Sequence, residues 1–145
     1  MATELSIRPF EAKRDLVRVN TWAMAHGKEG LPFHFLPPSG VIVEDGGEPV
    51  AAAWLYKCFG VGVAFMEHVH TRPGLSLSRA REAIGLAVEY FRFEAREDDY
   101  GVIFAHTSPA LAREAKAQGW QVLARDRVTI ARETGLDQLR KGVAA

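Results

Sequence analysis

The sequence has little cysteine, no excess of either charge and no long apolar run. Its one cysteine, Cys58, excludes an internal disulfide and any multi-cysteine metal site, and it favours a reducing compartment. The 18 Lys and Arg residues balance the 18 Asp and Glu residues, whereas nucleic-acid-binding proteins usually show a basic surplus. No segment approaches the roughly 20 apolar residues that span a bilayer. We therefore expect neither a nucleic-acid nor a membrane partner.

The first residues also lack the features of a secretory leader. Met1–Glu4 contains no basic region followed by an apolar stretch, so we expect no signal peptide and a cytoplasmic location. The length of 145 residues fits one domain.

Hydrophobic periodicity predicts alternating strands and helices along this length. The predicted order is a strand at Leu5–Arg8, a helix at Glu11–Ala25, strands at Val41–Glu44, Val50–Tyr56 and Val61–His70, a helix at Leu77–Arg96, a strand at Val102–Ala105, a helix starting at Pro109 after an N-cap at Ser108 and stopping at Gly119, and strands at Trp120–Ala124 and Arg127–Arg132. A meander followed by a strand–helix–strand crossover implies a single α/β domain with a mixed, mostly antiparallel sheet and helices on both faces.

Three details of these elements are predicted as well. In the first helix, Val17, Thr21 and Met24 can share a face, with Leu16, Val19 and Ala23 beside them. The wholly apolar strand Val102–Ala105 is typical of a strand buried on both faces.

The loop Leu31–Pro38 holds three prolines and two phenylalanines, which excludes a regular helix. This ordered loop either caps the core or faces a substrate through Phe33, His34 and Phe35.

Several segments in this order resemble known proteins. Ile7–Phe10 followed by a helix, the hairpin segment Glu44–Ala51, and Ser108–Val122 with its helix ending in Gly119-Trp120 resemble the GNAT superfamily of acyl-CoA-dependent N-acyltransferases. The resemblance covers residues 5–132, so we assign residues 1–133 to one GNAT-like domain and residues 134–145 to a C-terminal tail.

The resemblance implies acetyl-CoA as cofactor, held where the fourth strand meets the long helix. The family signature there is Arg/Gln-x-x-Gly-x-Gly/Ala, because amides at a helix N-terminus and its dipole attract phosphate. Here Ser76-Leu77-Ser78-Arg79-Ala80 replaces Gly-x-Gly-Arg-Ala. The implied cofactor-binding residues are Val69, Thr71, Arg72, Gly74, Ser76, Ser78 and Arg79. Helix capping is the alternative role for the serines, and a solvated charge is the alternative for the arginines.

Candidate catalytic residues lie on the fourth strand. The resemblance suggests Glu67 as general base, while His68 and His70 are candidates by position, since histidine titrates near neutral pH. Simple alternation would place both histidines on one face and Glu67 on the other. The tyrosine that protonates the thiolate in many family members is replaced by Ala115. A third histidine near His68-x-His70, such as His34 or His106, would be needed for a metal site, and none is assigned.

Two functions follow. The first is an acetyl-CoA-dependent N-acetyltransferase in which a primary amine of a small molecule or peptide attacks directly, with His106 and the Leu31–Pro38 loop beside the substrate. The second is a catalytically degenerate binding or structural module of the same fold, as found among bacteriophage proteins. The final hairpin, Trp120–Arg132, could also join two copies in a homodimer.

Overall fold

A computed structural model describes residues 3–126. The elements are β1 (Leu5–Pro9), α1 (Ala12–Ala25), a 3-10 turn (Phe33–Phe35), β2 (Ser39–Asp45), β3 (Glu48–Lys57), β4 (Val63–Thr71), α2 (Leu77–Glu97), β5 (Val102–Ala105) and α3 (Pro109–Ala117). The predicted order is confirmed through α3. The predicted strand Trp120–Ala124 is wrong, because that segment has no regular structure. The predicted strand Arg127–Arg132 and the tail 134–145 lie outside the described residues.

The chain divides into two compact units, one up to His106 and one from Thr107 onward. In the second unit, Ser108 Oγ accepts a hydrogen bond of 3.3 Å from the Leu111 amide, and Pro109 opens α3. Gly119 follows the helix with φ of +95°, a conformation that favours glycine. The predicted cap and stop of this helix are therefore confirmed.

The first unit is built on a five-stranded sheet in the order β1-β2-β3-β4-β5. The first three neighbouring pairs are antiparallel, and β4 and β5 are parallel, joined by α2. Gly46 and Gly47 have φ of +58° and +87°, as a two-residue hairpin turn between β2 and β3 requires. The predicted mixed, mostly antiparallel sheet is confirmed.

One core cluster lies between α1 and the sheet, where Val19 and Trp22 pack on Ile42, Ala52 and Trp54. Val19 and Ala23 are fully buried, but Val17 is 81% and Met24 61% exposed, so the predicted shared face is not the buried one. The buried face instead contains Trp22 and Asp15. Burial of the large indole ring and an ion pair to Asp15, described below, fix this rotation of the helix.

The second helix packs on the sheet through small residues and one aromatic ring. Ala83, Ala87, Val88, Phe91 and Ala95 form its buried stripe. The strand β5 lies at the edge of the described sheet, and Val102 remains 43% exposed. The predicted burial of that strand on both faces is therefore wrong.

The contact between Gly40 and Trp54 leads to a stability prediction. A Cβ at Gly40 would lie 2.4 Å from Trp54 Nε1, and the Trp54 ring is fully buried. Gly40→Ala should lower the free energy of unfolding by about 1–3 kcal/mol, because the ring must shift in a packed core. Gly85→Ala is the control, since no atom lies within 4 Å of its Cβ position in α2. In urea unfolding the control should be stabilised by up to about 1 kcal/mol. Equal effects of the two substitutions would contradict this packing.

Candidate active site on the fourth strand

The central irregularity of the sheet is a bulge in β4. Glu67 pairs with Trp54 and His70 pairs with Ala52, so one β3 residue opposes the two residues His68–Val69. His68 has φ of +56°, in the left-handed region that non-glycine residues rarely adopt. Bulges of this kind redirect side chains and often lie beside active sites.

The bulge brings Glu67 and His70 to the same face of the sheet. Trp54 and Ala52 are two residues apart on a regular strand, so they share a face, and their cross-strand partners share it with them. Trp54 and Ala52 belong to the core cluster that packs against α1. The prediction that Glu67 and His70 lie on opposite faces is therefore wrong, because the extra residue reverses the alternation beyond it.

The second half of β4 is an open edge. The pairing between β4 and β5 ends at Met66 and Ala105, although β4 continues to Thr71. Beyond Met66, that side of β4 has no neighbouring strand within residues 3–126. Unpaired backbone groups on a strand edge can hydrogen-bond an extended ligand. Val69 and Thr71, both predicted to contact a cofactor, belong to this edge.

Glu67 is paired with His106 at the point where the two strands separate. His106 Nδ1 lies 2.5 Å from Glu67 Oε1, and the carboxylate accepts, so Nδ1 donates. The ring of His106 stacks on Phe65, with centroids 6.0 Å apart and planes inclined by 8°. The His106 side chain is 61% exposed, whereas that of Glu67 is 25% exposed. In the neutral ring this geometry leaves Nε2 as a proton acceptor.

Burial disfavours the charged form of both β4 histidines. His70 is 5% exposed, and neither of its ring nitrogens has a hydrogen-bond partner within residues 3–126. Burial lowers the pKa of His70 to about 4, and the charges of Lys28, His68 and His26 add to this effect. Burial also lowers the pKa of His68, where the opposing effect of Glu67 is partly offset by Lys28.

The Leu31–Pro38 loop is fixed near these groups. The Tyr56 hydroxyl donates to the Phe35 carbonyl oxygen at 2.7 Å, and the Tyr56 ring meets His68 edge-on at 5.7 Å. The His34 ring packs edge-on against Phe35, and the Phe33 and Phe35 side chains are 64% and 58% exposed. An open pocket of about 270 Å³ lies along the loop, lined by Phe10, Ala12, Phe33, Leu36, Pro37 and Pro38. The loop contains a 3-10 turn and no α-helix, as predicted.

The turn from β4 into α2 contains the candidate phosphate site. Gly74 has φ of +81°, and no atom lies within 4 Å of the position a Cβ would take. Ser76 Oγ accepts from the Arg79 amide at 3.1 Å, which confirms its capping role. The amides of Leu77 and Ser78, at the first two helical positions, have no acceptor among the described residues. These amides and the positive end of a 21-residue helix could receive an anion.

The two arginines of this region are placed differently. Arg79 donates two hydrogen bonds of 2.8 Å to Asp45 and one of 2.5 Å to Glu82, and it also bonds the Thr3 carbonyl oxygen. These hydrogen bonds from Arg79, with that from Thr3, hold the pKa of Asp45 well below its usual range. Arg79 thus ties α2 to the end of β2. Arg72 is exposed, and its guanidinium has no hydrogen-bond partner within residues 3–126.

Several residues of this region are absent from the sequence-based candidates. His26 Nε2 donates to the Thr71 carbonyl oxygen at 3.0 Å, and the charge of Lys28 acts on both β4 histidines. Tyr56 orients the loop and His68. No local pattern marks these residues, because their role depends on how the end of α1 meets β4.

Residues 3–126 contain no helix with the length and hydropathy needed to cross a membrane. They also contain no group of three or more His, Cys, Asp or Glu side chains able to hold a metal ion.

No protein-family model and no curated protein matches the sequence. Solved structures do match. N-acetylglutamate synthase from Neisseria gonorrhoeae, complexed with coenzyme A and N-acetyl-glutamate, is 15% identical with a TM-score of 0.61, over 96% of this chain and 32% of that one. An acetyltransferase from Trypanosoma brucei is 15% identical with a TM-score of 0.60, over 88% of this chain and 100% of that one.

A tandem GNAT protein from the clavulanic acid biosynthesis pathway is 23% identical with a TM-score of 0.58. That match covers 80% of this chain and 43% of the other. The chain thus spans about a third of the synthase and less than half of the tandem protein. It has the GNAT acetyltransferase fold with a divergent sequence, and the fold that the resemblance predicted is confirmed.

Proposed function

We propose that the chain is a divergent GNAT-superfamily N-acetyltransferase that transfers an acetyl group from acetyl-CoA to a primary amine of a small molecule or peptide. The observation that carries this proposal is the Glu67–His106 pair beside the open edge of β4. This pair places a proton acceptor, His106 Nε2, beside a strand edge that can bind an extended acyl carrier.

The residues of the β4–α2 region fit the cofactor. The open edge at Val69 and Thr71 offers backbone groups to the pantetheine arm, and the amides of Leu77 and Ser78 offer donors to the phosphates. The Gly74 turn leaves room for a close approach, and Arg72 supplies a positive charge. Arg79 supports this region through Asp45 instead of binding phosphate.

The reaction replaces a thioester C–S bond by a C–N bond, and acetyl-CoA supplies the activated acyl group. Starting from an ammonium substrate, two protons must leave the nitrogen, one to solvent and one to the departing sulfur. His106 Nε2 takes a proton from the nitrogen, while Glu67 holds Nδ1–H and stabilises the imidazolium. The imidazolium then gives its proton to the sulfur, a role for which the family tyrosine is missing at Ala115.

Cofactor binding is tested by a thermal-shift titration with acetyl-CoA. A ligand at about 100 times its Kd stabilises by about 2.7 kcal/mol, which raises Tm by several degrees for a chain of this size. Arg72→Gln should weaken binding about tenfold or more, through loss of a charged hydrogen bond. The control is Arg96→Gln at the other end of α2, about 30 Å away, which should bind like the wild type. No rise in Tm at millimolar acetyl-CoA, or equal losses in both variants, would contradict the proposed site.

A further inference from the structure

One polar cluster on the α1 side of β4 has no role in the proton transfer described above. It consists of His26 and Lys28, just after α1, together with His68 and His70 on β4. His26 is held at the Thr71 carbonyl oxygen, which fixes the end of α1 against the end of β4. Lys28 lies near enough for its charge to act on both β4 histidines. We refer to these four residues as the histidine–lysine cluster.

His70 is the unusual member of this cluster. Its side chain is 95% buried, yet neither Nδ1 nor Nε2 has a hydrogen-bond partner in the described part of the chain. Buried polar groups are nearly always paired, so an imidazole with two unengaged nitrogens is a strong indication of a bound polar group. The bulge turns this ring to the face that also holds Glu67.

The charges along this face are opposite at its two ends. Lys28 has no ion pair within residues 3–126, and it makes the His70 end positive. Glu67 makes the other end negative and is within reach of His106. The partners of Glu67 and His70 are two residues apart on β3, which puts the two backbones about 7 Å apart along the strand. A short molecule with an ammonium at one end and an anion at the other matches this arrangement.

We propose that the histidine–lysine cluster binds an anionic group of the acceptor, so that the substrate class is a small amine carrying a carboxylate. This inference rests on the proposed transferase function, because it assigns the amine end to Glu67 and His106. Lys28 supplies the charge, and His70 and His68 supply N–H donors to the anion. The amine end then lies beside the open edge of β4.

The test compares four ligands with the same amine but different ends, without any acetyl-CoA. These are β-alanine, taurine, phosphoethanolamine and propylamine, titrated into the protein while the histidine ring signals are followed by NMR. We expect β-alanine to shift the His68 and His70 signals and to raise the pKa of both rings, since an anion stabilises the charged imidazole. Propylamine should bind at least tenfold more weakly.

Matched lysine variants distinguish binding at the histidine–lysine cluster from nonspecific attraction to positive charge. Lys28→Gln should weaken β-alanine binding at least tenfold, while Lys13→Gln, an exposed lysine at the start of α1, should leave it unchanged. Tighter binding of phosphoethanolamine than of β-alanine would overturn the carboxylate assignment in favour of a phosphate. Equal binding of β-alanine and propylamine, or unchanged His70 signals, would overturn the site.

The titration and a separate acetylation assay with acetyl-CoA together distinguish failure of this inference from failure of the transferase. Binding of β-alanine with the expected histidine shifts would support the site even in a protein that transfers no acetyl group. Rapid acetylation of propylamine with no preference for β-alanine would support the transferase and overturn the carboxylate specificity.

Discussion

Glu67→Gln should lower kcat by about 100-fold to 10,000-fold, the usual contribution of a positioned acid–base group. Glutamine keeps the shape of the side chain but cannot stabilise the imidazolium of His106, 2.5 Å away in the wild type. The KM for acetyl-CoA should change little, because Glu67 lies on the α1 face of β4 and not in the β4–α2 turn. The rate of thiol release from acetyl-CoA measures both parameters.

The effect of Glu67 is exerted through His106, and a double-variant cycle tests this. Glu67→Asp should recover part of the rate, and Glu67→Gln added to His106→Ala should cost little more than His106→Ala alone. Glu89→Gln, on an exposed pair with Arg92, is the control and should be fully active. Additive losses in the double variant would contradict a shared role.

Asp15→Ala should lower the free energy of unfolding by about 3 kcal/mol, as for other broken buried ion pairs. The Asp15 side chain is 2% exposed and accepts two 2.8 Å hydrogen bonds from Arg8 and one of 2.9 Å from the Glu11 amide. Its removal leaves Glu44 as the one carboxylate paired with Arg8 within residues 3–126. Urea unfolding at pH 7 measures the loss. The control, Asp98→Ala, removes a half-exposed partner of Lys57 and should cost less than about 1 kcal/mol. Equal losses would contradict the structural role of Asp15.

The ion pair between Asp15 and Arg8 makes the free energy of unfolding depend on pH. Burial alone would raise the pKa of Asp15, but the hydrogen bonds from Arg8 and the Glu11 amide outweigh it, so the pKa lies below the ordinary value of 3.8. The unfolded chain therefore binds this proton more readily than the folded one. The stabilisation is complete above the ordinary pKa and is lost as the pH falls through the folded pKa. Asp15→Asn should flatten the acid side of the stability profile, and an unchanged profile would contradict this assignment.

The elements that the sequence predicted well are those with strong local signals. Ser108-Pro109 starts α3 and Gly46-Gly47 makes the hairpin turn, because capping, proline and positive φ act within a few residues. The bounds of α2 were equally readable, since the predicted helix Leu77–Arg96 differs from the observed Leu77–Glu97 by one residue.

The site was only partly predictable, because its geometry depends on register between strands. Glu67 and His106 were separate candidates, and their pairing follows from where the β4–β5 ladder ends. The face of the sheet on which His70 lies was predicted wrongly, because a single extra residue in β4 leaves no mark in the sequence. Lys28 was missed because it meets the histidines only through the packing of α1.

The central claim is that the Glu67–His106 pair catalyses acetyl transfer from acetyl-CoA to an amine. Its most direct test measures thiol release with a panel of primary amines, with the acetylated product identified by mass spectrometry, for the wild type and His106→Ala. We predict amine-dependent release by the wild type and at least a roughly 100-fold lower rate in the variant. The affinity of the variant for acetyl-CoA should be unchanged. A wild type that binds acetyl-CoA but acetylates no amine, or a variant with the full rate, would contradict the claim.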